Sequence, residues 1–248
     1  MAMRSTAQRL MQRFTLLSLL LCIGAWQWTR WQAQAADPQQ QIAGVLIHQL
    51  RHTPLKAVAL TLDGDFTPRQ WRQLQTTLQA QNAKVSIFTN AETLQLLPVL
   101  FSQLQHAGHQ FGNDACSRRC QPSADAWQWR HAILTNDVAI RQLGDTAPIL
   151  LRLPDSNEGI ALPLWLKFHQ RWHIRWSYAF RTDRAVKPQF DQFFQQLTPG
   201  MIIRMPADQA LLDALPGLIA NLHAYGYQLL TLNELIQQQP LPWQQNPH

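Results

Sequence analysis

Cysteine and charge are both scarce in this 248-residue chain. It holds three cysteines, Cys22, Cys116 and Cys120, and only 15% of its residues are charged. A single Cys-x-x-x-Cys with no second pair carries little of a zinc-site signal. Low charge beside 46% hydrophobic residues excludes a disordered chain. Long apolar runs are missing too: residues 14–26 are apolar over thirteen positions, short of the roughly 18 needed for a spanning helix, and a polytopic membrane protein is excluded. No repeat recurs at a fixed period, which sets aside repeat architectures. What remains is a globular chain of a length that an α/β barrel commonly fills as one domain.

The amino-terminal segment is read as a leader. Arg4, Arg9 and Arg13 precede the apolar run without an acid, and Ala33-Gln34-Ala35 offers a small-x-small cleavage pattern. Residues 1–35 are therefore expected to be a secretory signal, with a mature chain beginning at Ala36. The polar stretch 27–34, with Arg30 and two tryptophans, also suits an uncleaved anchor with an interfacial aromatic belt, although the shortness of the apolar run favours cleavage. Either way the expected location is exported, periplasmic or cell envelope, with membrane contact only through an uncleaved leader. The leader carries four arginines and no acid, so its removal lowers the net charge from +6 to +2. No clustered basic face is left, and a nucleic-acid partner is not expected. Cys116 and Cys120 remain as a pair that an oxidising compartment can bridge, and a disulfide between them is expected.

Beyond the leader, residues 36–55 are expected as a helical lead-in. Apolar or β-branched runs then recur at 57–63, 83–88, 148–153, 173–178, 201–205 and 227–230, separated by helical patterns. Trp71, Leu74 and Leu78 keep one helical face. Leu211, Leu215, Leu218, Ile219 and Leu222 keep another, entered at Asp208 as N-cap and stopped by Gly226. Thr89-Asn90-Ala91-Glu92 has capping-box spacing, and Pro98 kinks or breaks the helix that follows. Residues 237–248 read as a flexible Gln/Pro-rich tail. Strands alternating with helices predict a parallel sheet or barrel, whose chemistry sits at the carboxyl ends of the strands. This singles out Asp63, the Asn113-Asp114 loop, Arg152, Tyr178 and Met205-Pro206.

Several motifs in order carry a more specific signal. Residues 57–65 read Ala-Val-Ala-Leu-Thr-Leu-Asp-Gly-Asp, residues 107–113 Ala-Gly-His-Gln-Phe-Gly-Asn, residues 151–154 Leu-Arg-Leu-Pro and residues 199–205 Pro-Gly-Met-Ile-Ile-Arg-Met. Together they resemble the polysaccharide deacetylase (NodB-homology, carbohydrate esterase) family over residues 56–236. The resemblance implies an α/β fold, an irregular and incompletely closed (β/α) barrel. It also implies metal-assisted amide hydrolysis, in which an Asp-His-His site holds a divalent ion, a second Asp is the base and a late His is the acid. Asp63 matches the base and Arg152 the arginine that orients it.

The other family positions depart from the pattern. Gly64 stands at the metal-binding Asp with Asp65 one place late, Asp114 and Arg118 stand at the two histidines, and Pro206 stands at the acid. A guanidinium has no lone pair to donate, so no cofactor is expected. Arg118 is expected to pair with Asp63, Asp65 or Asp114 in place of an ion. His109 is kept from the family phrase and is read as structural.

Asp65, Asp114, Arg118 and Tyr178 are the binding candidates beside Asp63 and Arg152. Trp127, Trp129, Trp165, Trp172 and Trp176 are read mostly as core, with one or two able to stack on a sugar if they reach the groove. Three functions stay open. The first is a degenerate family member that binds or helps process an envelope polysaccharide. The second is an active deacetylase with a divalent metal on Asp63, Asp65 and Asp114, and the third is a protein-binding scaffold.

Overall fold

The computed structural model describes residues 46–47, 49–50, 53, 55–63, 66–115, 126–144, 150–153, 165, 169 and 171–238. In chain order these form β1 (Leu46–Ile47), β2 (Ala57–Asp63), α1 (Pro68–Ala80), β3 (Ser86–Thr89), α2 (Ala91–Leu96), α3 (Pro98–His106), β4 (Gln110–Asp114) and α4 (Ala126–Arg141). There follow β5 (Leu150–Arg152), β6 (Trp172–Ile174), β7 (Tyr178–Ala179), α5 (Val186–Gln196), β8 (Ile202–Met205), α6 (Gln209–Ala224), β9 (Gln228–Leu229) and α7 (Leu232–Gln237). The strands lie in the order β1-β6-β5-β4-β3-β2-β8-β7, with β9 on the start of β2. Every ladder among them is parallel. This is the expected incompletely closed barrel, open between β1 and β7.

Local sequence explains most of the elements. Thr67 and Gln70 form a reciprocal capping box at the start of α1, Pro68 occupies its first turn, and Trp71, Leu74 and Leu78 are buried; each cap satisfies amides that the first turn leaves unpaired. Asn90 rather than Thr89 caps α2, accepting from the Thr93 amide. Thr89 is taken by the ladder, where it pairs with Asn113 of β4, so the cap falls one residue later. Pro98 breaks the helix outright, separating α2 from α3. Asp208 caps α6, whose leucine face is buried.

Within the segment 36–55, the described residues 46–47 and 49–50 depart from expectation. They supply a strand instead of a helix at Leu46–Ile47, paired with His173 and Ile174, and Gln49 then bridges Met201. The same few residues therefore touch the β6 side and the β8 side of the opening. Unpaired strand edges are costly to leave bare, and this need overrides the weak local preference for helix. The tail from 239 to 248 and the leader lie outside the described residues.

Alternation along the strands sorts the core into two shells. Val58, Leu60, Leu62, Ile87, Phe111 and Ile203 face outward and pack with Trp71, Leu74 and the α6 leucines. Ala57, Ala59, Phe88, Leu150, Ile174 and Ile202 face inward with Leu232, Leu235 and Ile236 of α7. Helix α7 is capped by Thr231 and Glu234. Its Leu232 amide donates to Ser86 Oγ at 2.8 Å and its Asn233 amide to Gln110 Oε1 at 3.0 Å. It thus closes the amino-terminal ends of β3 and β4 and leaves the carboxyl ends for the site.

His109 precedes β4, buried, with Nδ1 accepting from the Val85 amide at 3.3 Å. Burial, and then the charge of Lys84, lower its pKa from 6.5 to about 4. The unfolded chain therefore binds the extra proton first. His109 contributes stability that is present above pH 6.5 and drains away as the pH falls toward 4. Between pH 7 and 4.5 this is a loss of about 2 kcal/mol. Urea unfolding of the wild type and His109→Gln at both pH values should show the smaller acid loss in the variant, and equal losses would reject this assignment.

Candidate functional site

Asp63 ends β2 and Arg152 ends β5, three strands away across the sheet. The inward Arg152 side chain crosses the barrel mouth. Its Nη1 donates to Asp63 Oδ1 at 2.6 Å, its Nη2 to Thr61 Oγ1 at 3.0 Å and its Nε to the Ile174 carbonyl at 3.4 Å. Every edge of the guanidinium fork is engaged, which fixes it as only arginine can. Its flat face lies 4.0 Å from the Phe88 ring centroid, a cation–π contact. Phe88 in turn pairs with Gly112, where an added Cβ would fall 2.6 Å from the ring; glycine leaves the room that the ring, and so the arginine, occupies.

A second guanidinium completes the clamp. Arg204 of β8 is in register with Thr61 and therefore shares its inward face, and its Nε donates to Asp63 Oδ2. Asp63 thus has one arginine on each carboxylate oxygen. Trp176, half-buried at the crossover from β6 to β7, has the guanidinium carbons of Arg204, Arg152 and Arg175 at 4.6, 5.5 and 5.5 Å from its ring. Burial is the largest influence on Arg152 and lowers its pKa. The charge and hydrogen bond of Asp63 raise it, Arg204 lowers it, and Asp114 raises it.

The structure brings Asp63, Arg152 and Asp114 together, the last as the register partner of Arg152 across β4 and β5. Asn113 supports that strand end from below. It donates to Asp137 Oδ1 at 2.6 Å and to the Ile133 carbonyl at 2.8 Å, and Asp137 is itself paired with Arg171. Gly64, Asp65, Cys116, Arg118 and Cys120 lie outside the described residues. Tyr178 is a correction. It pairs with Ile203, which packs in the outer shell. Its hydroxyl donates to the Gln189 carbonyl at 2.8 Å and its ring meets Phe180 and Phe193 at 5.1 Å. It faces the helices, away from Asp63.

Arg204 was not among the candidates, although one signal marked it: a lone charge inside the apolar run 201–205 of an expected central strand needs a buried partner. Of the tryptophans, Trp176 is the one at the clamp; Trp129 is buried and Trp127 is exposed on α4.

A polysaccharide deacetylase family model matches residues 51–160. Over those residues the chain is similar to the polysaccharide deacetylase family. No curated protein matches it. A peptidoglycan N-acetylglucosamine deacetylase structure aligns at TM-score 0.70 and 20% identity, covering 78% of this chain and 93% of that one. A family 4 carbohydrate esterase from Bacillus anthracis aligns at 0.67 and 17%, covering 81% and 92%. A CE4 family pseudoenzyme, also from Bacillus anthracis, aligns at 0.68 and 16%, covering 78% and 69%. At these identities the structures establish the shared fold.

The positions that the resemblance assigns to the divalent metal are Gly64 or Asp65, Asp114 and Arg118, and only Asp114 is among the described residues. The described residues contain no group of three His, Cys, Asp or Glu side chains able to hold an ion. Asp63, the carboxylate at the centre of the site, is already bound by two guanidinium groups, and the side chain of Pro206, just after β8, has no proton or lone pair to offer.

Proposed function

We propose that this protein is exported to the cell envelope and binds a polysaccharide there, or assists its processing, without metal-dependent hydrolysis. The observation that carries this reading is the double clamp on Asp63, the residue that the resemblance casts as the base. A carboxylate holding one arginine on each oxygen is poorly placed to accept a proton from water. The same two fixed cations oppose a metal ion: unit charges about 4 Å apart repel by about 4 kcal/mol at an effective dielectric near 20. Two further points support the reading. Trp176 places a partly exposed aromatic ring at the mouth, and aromatic rings suit the apolar faces of sugars. The fold is also shared with a CE4 family pseudoenzyme, of which a mutant is described as having restored enzymatic activity.

The test is metal content and acetate release from N- and O-acetylated glycans, with and without chelator. The wild type is expected to hold substoichiometric metal and to release no chelator-sensitive acetate. The combined variant Gly64→Asp, Asp114→His, Arg118→His and Pro206→His is the comparison for a rebuilt site. Metal-dependent turnover by the wild type would reject the proposal in favour of an enzyme working on Asp63, Asp65 and Asp114. Failure to bind any glycan would favour a protein-binding scaffold.

A further inference from the structure

From the open donor edge of Arg204 beside Trp176 we infer that the mouth of the barrel recognises a carboxylate carried on a sugar, with Arg204 as the residue that meets it. This rests on the glycan-binding reading and adds the ligand's charge to it. Two guanidinium groups share the single carboxylate of Asp63. Arg152 is spent: its side chain is 4% exposed and all three of its nitrogens are bonded. Arg204 differs. Its side chain is 31% exposed, and Nε is committed to Asp63. Among the described residues, no hydrogen bond engages its two terminal nitrogens.

Those nitrogens form an open donor edge of the geometry that a carboxylate accepts in two parallel bonds. The Arg204 guanidinium lies over the half-buried indole of Trp176, 4.6 Å from its ring centroid. A sugar packed against the exposed part of that indole would bring its carboxylate to the arginine. The bound anion would also relieve the repulsion between Arg152 and Arg204, a gain that no neutral sugar supplies. Uronic acids and the lactyl ether of muramic acid are two sources of a sugar carboxylate, and both present the same group.

The experiment is calorimetric titration of the full-length protein with four probes: trigalacturonic acid, its methyl ester, an N-acetylmuramic acid disaccharide and chitotriose. At least one carboxylated probe should bind about tenfold or more tighter than chitotriose. If that probe is the uronate trimer, its ester should lose the advantage, and added salt should weaken binding. The tighter of the two acids names the source. Arg204→Gln should abolish the preference while Arg204→Lys keeps part of it, and the wild-type ester comparison stands even if a variant fails to fold. If chitotriose binds as tightly as both acids, carboxylate recognition is wrong while glycan binding survives. If no probe binds, both fall.

Discussion

Replacing Arg152 by methionine is expected to lower the unfolding free energy by about 3–5 kcal/mol, the usual cost of removing one partner from a buried ion pair. The side chain is nearly inaccessible and its carboxylate partner is 16% exposed, so solvent does little to weaken the interaction. Methionine fills most of the volume beside Phe88 but donates nothing. Thr61 Oγ1 loses its donor, the Ile174 carbonyl loses another, and Asp63 keeps Arg204 alone. Asp63→Asn should cost a similar amount for the opposite reason, since it leaves two guanidinium groups facing each other without the carboxylate between them. The two changes share one interaction, and their effects should combine to less than their sum. Asp183→Asn, which breaks the exposed pair with Arg181, should leave the urea midpoint unchanged within error. Urea unfolding at pH 7 checks all of these. An Arg152→Met variant within about 1 kcal/mol of wild type would show that the clamp is not a stabilising element.

The second large effect lies where the lead-in meets the barrel. Gly200 has φ +79, and a Cβ there would fall 1.7 Å from the Leu50 carbonyl oxygen. Gly200→Ala is expected to cost about 3 kcal/mol, combining about 1–2 for the left-handed backbone with a similar amount for the forced displacement. No side chain can rotate away, because the obstacle is backbone. The displacement should first break the bond from the Leu50 amide to the Gly200 carbonyl, 3.0 Å long. Hydrogen exchange at Leu50 should therefore quicken more than at Ala59, inside β2. Equal protection in variant and wild type would mean that the lead-in is not held through Gly200.

These two positions also mark where local pattern stops informing. Residues 57–63, the capped helices at Pro68 and Gln209, and the break at Pro98 were legible because their causes are local: hydrophobic periodicity, a side-chain oxygen near the first free amides, and a missing amide hydrogen. The pairing of Asp63 with Arg152 was legible through the ordered motifs that the family resemblance ties together. The run 173–178 reads as one strand but is two, because its middle crosses from β1 to β8: the Arg175 amide donates to the Ile47 carbonyl and the Ser177 amide to that of Ile202. That crossing is what carries Trp176 over the mouth, and nothing local in residues 173–178 requires it.

By itself, the sequence determined most of the strands and helices, that the strands run parallel, and that Asp63 and Arg152 belong to one site. Only the tertiary structure decided which other side chains join them. Arg204 lies 141 positions from Asp63, and it meets the carboxylate because β8 pairs with β2 so that residue 204 aligns with residue 61. Tyr178 is lost to the site by the same parity, aligned with the outward Ile203. A register shift of one residue would exchange the two faces. That choice is made by the packing of both shells at once, through contacts between residues far apart in the chain, and no single segment encodes it.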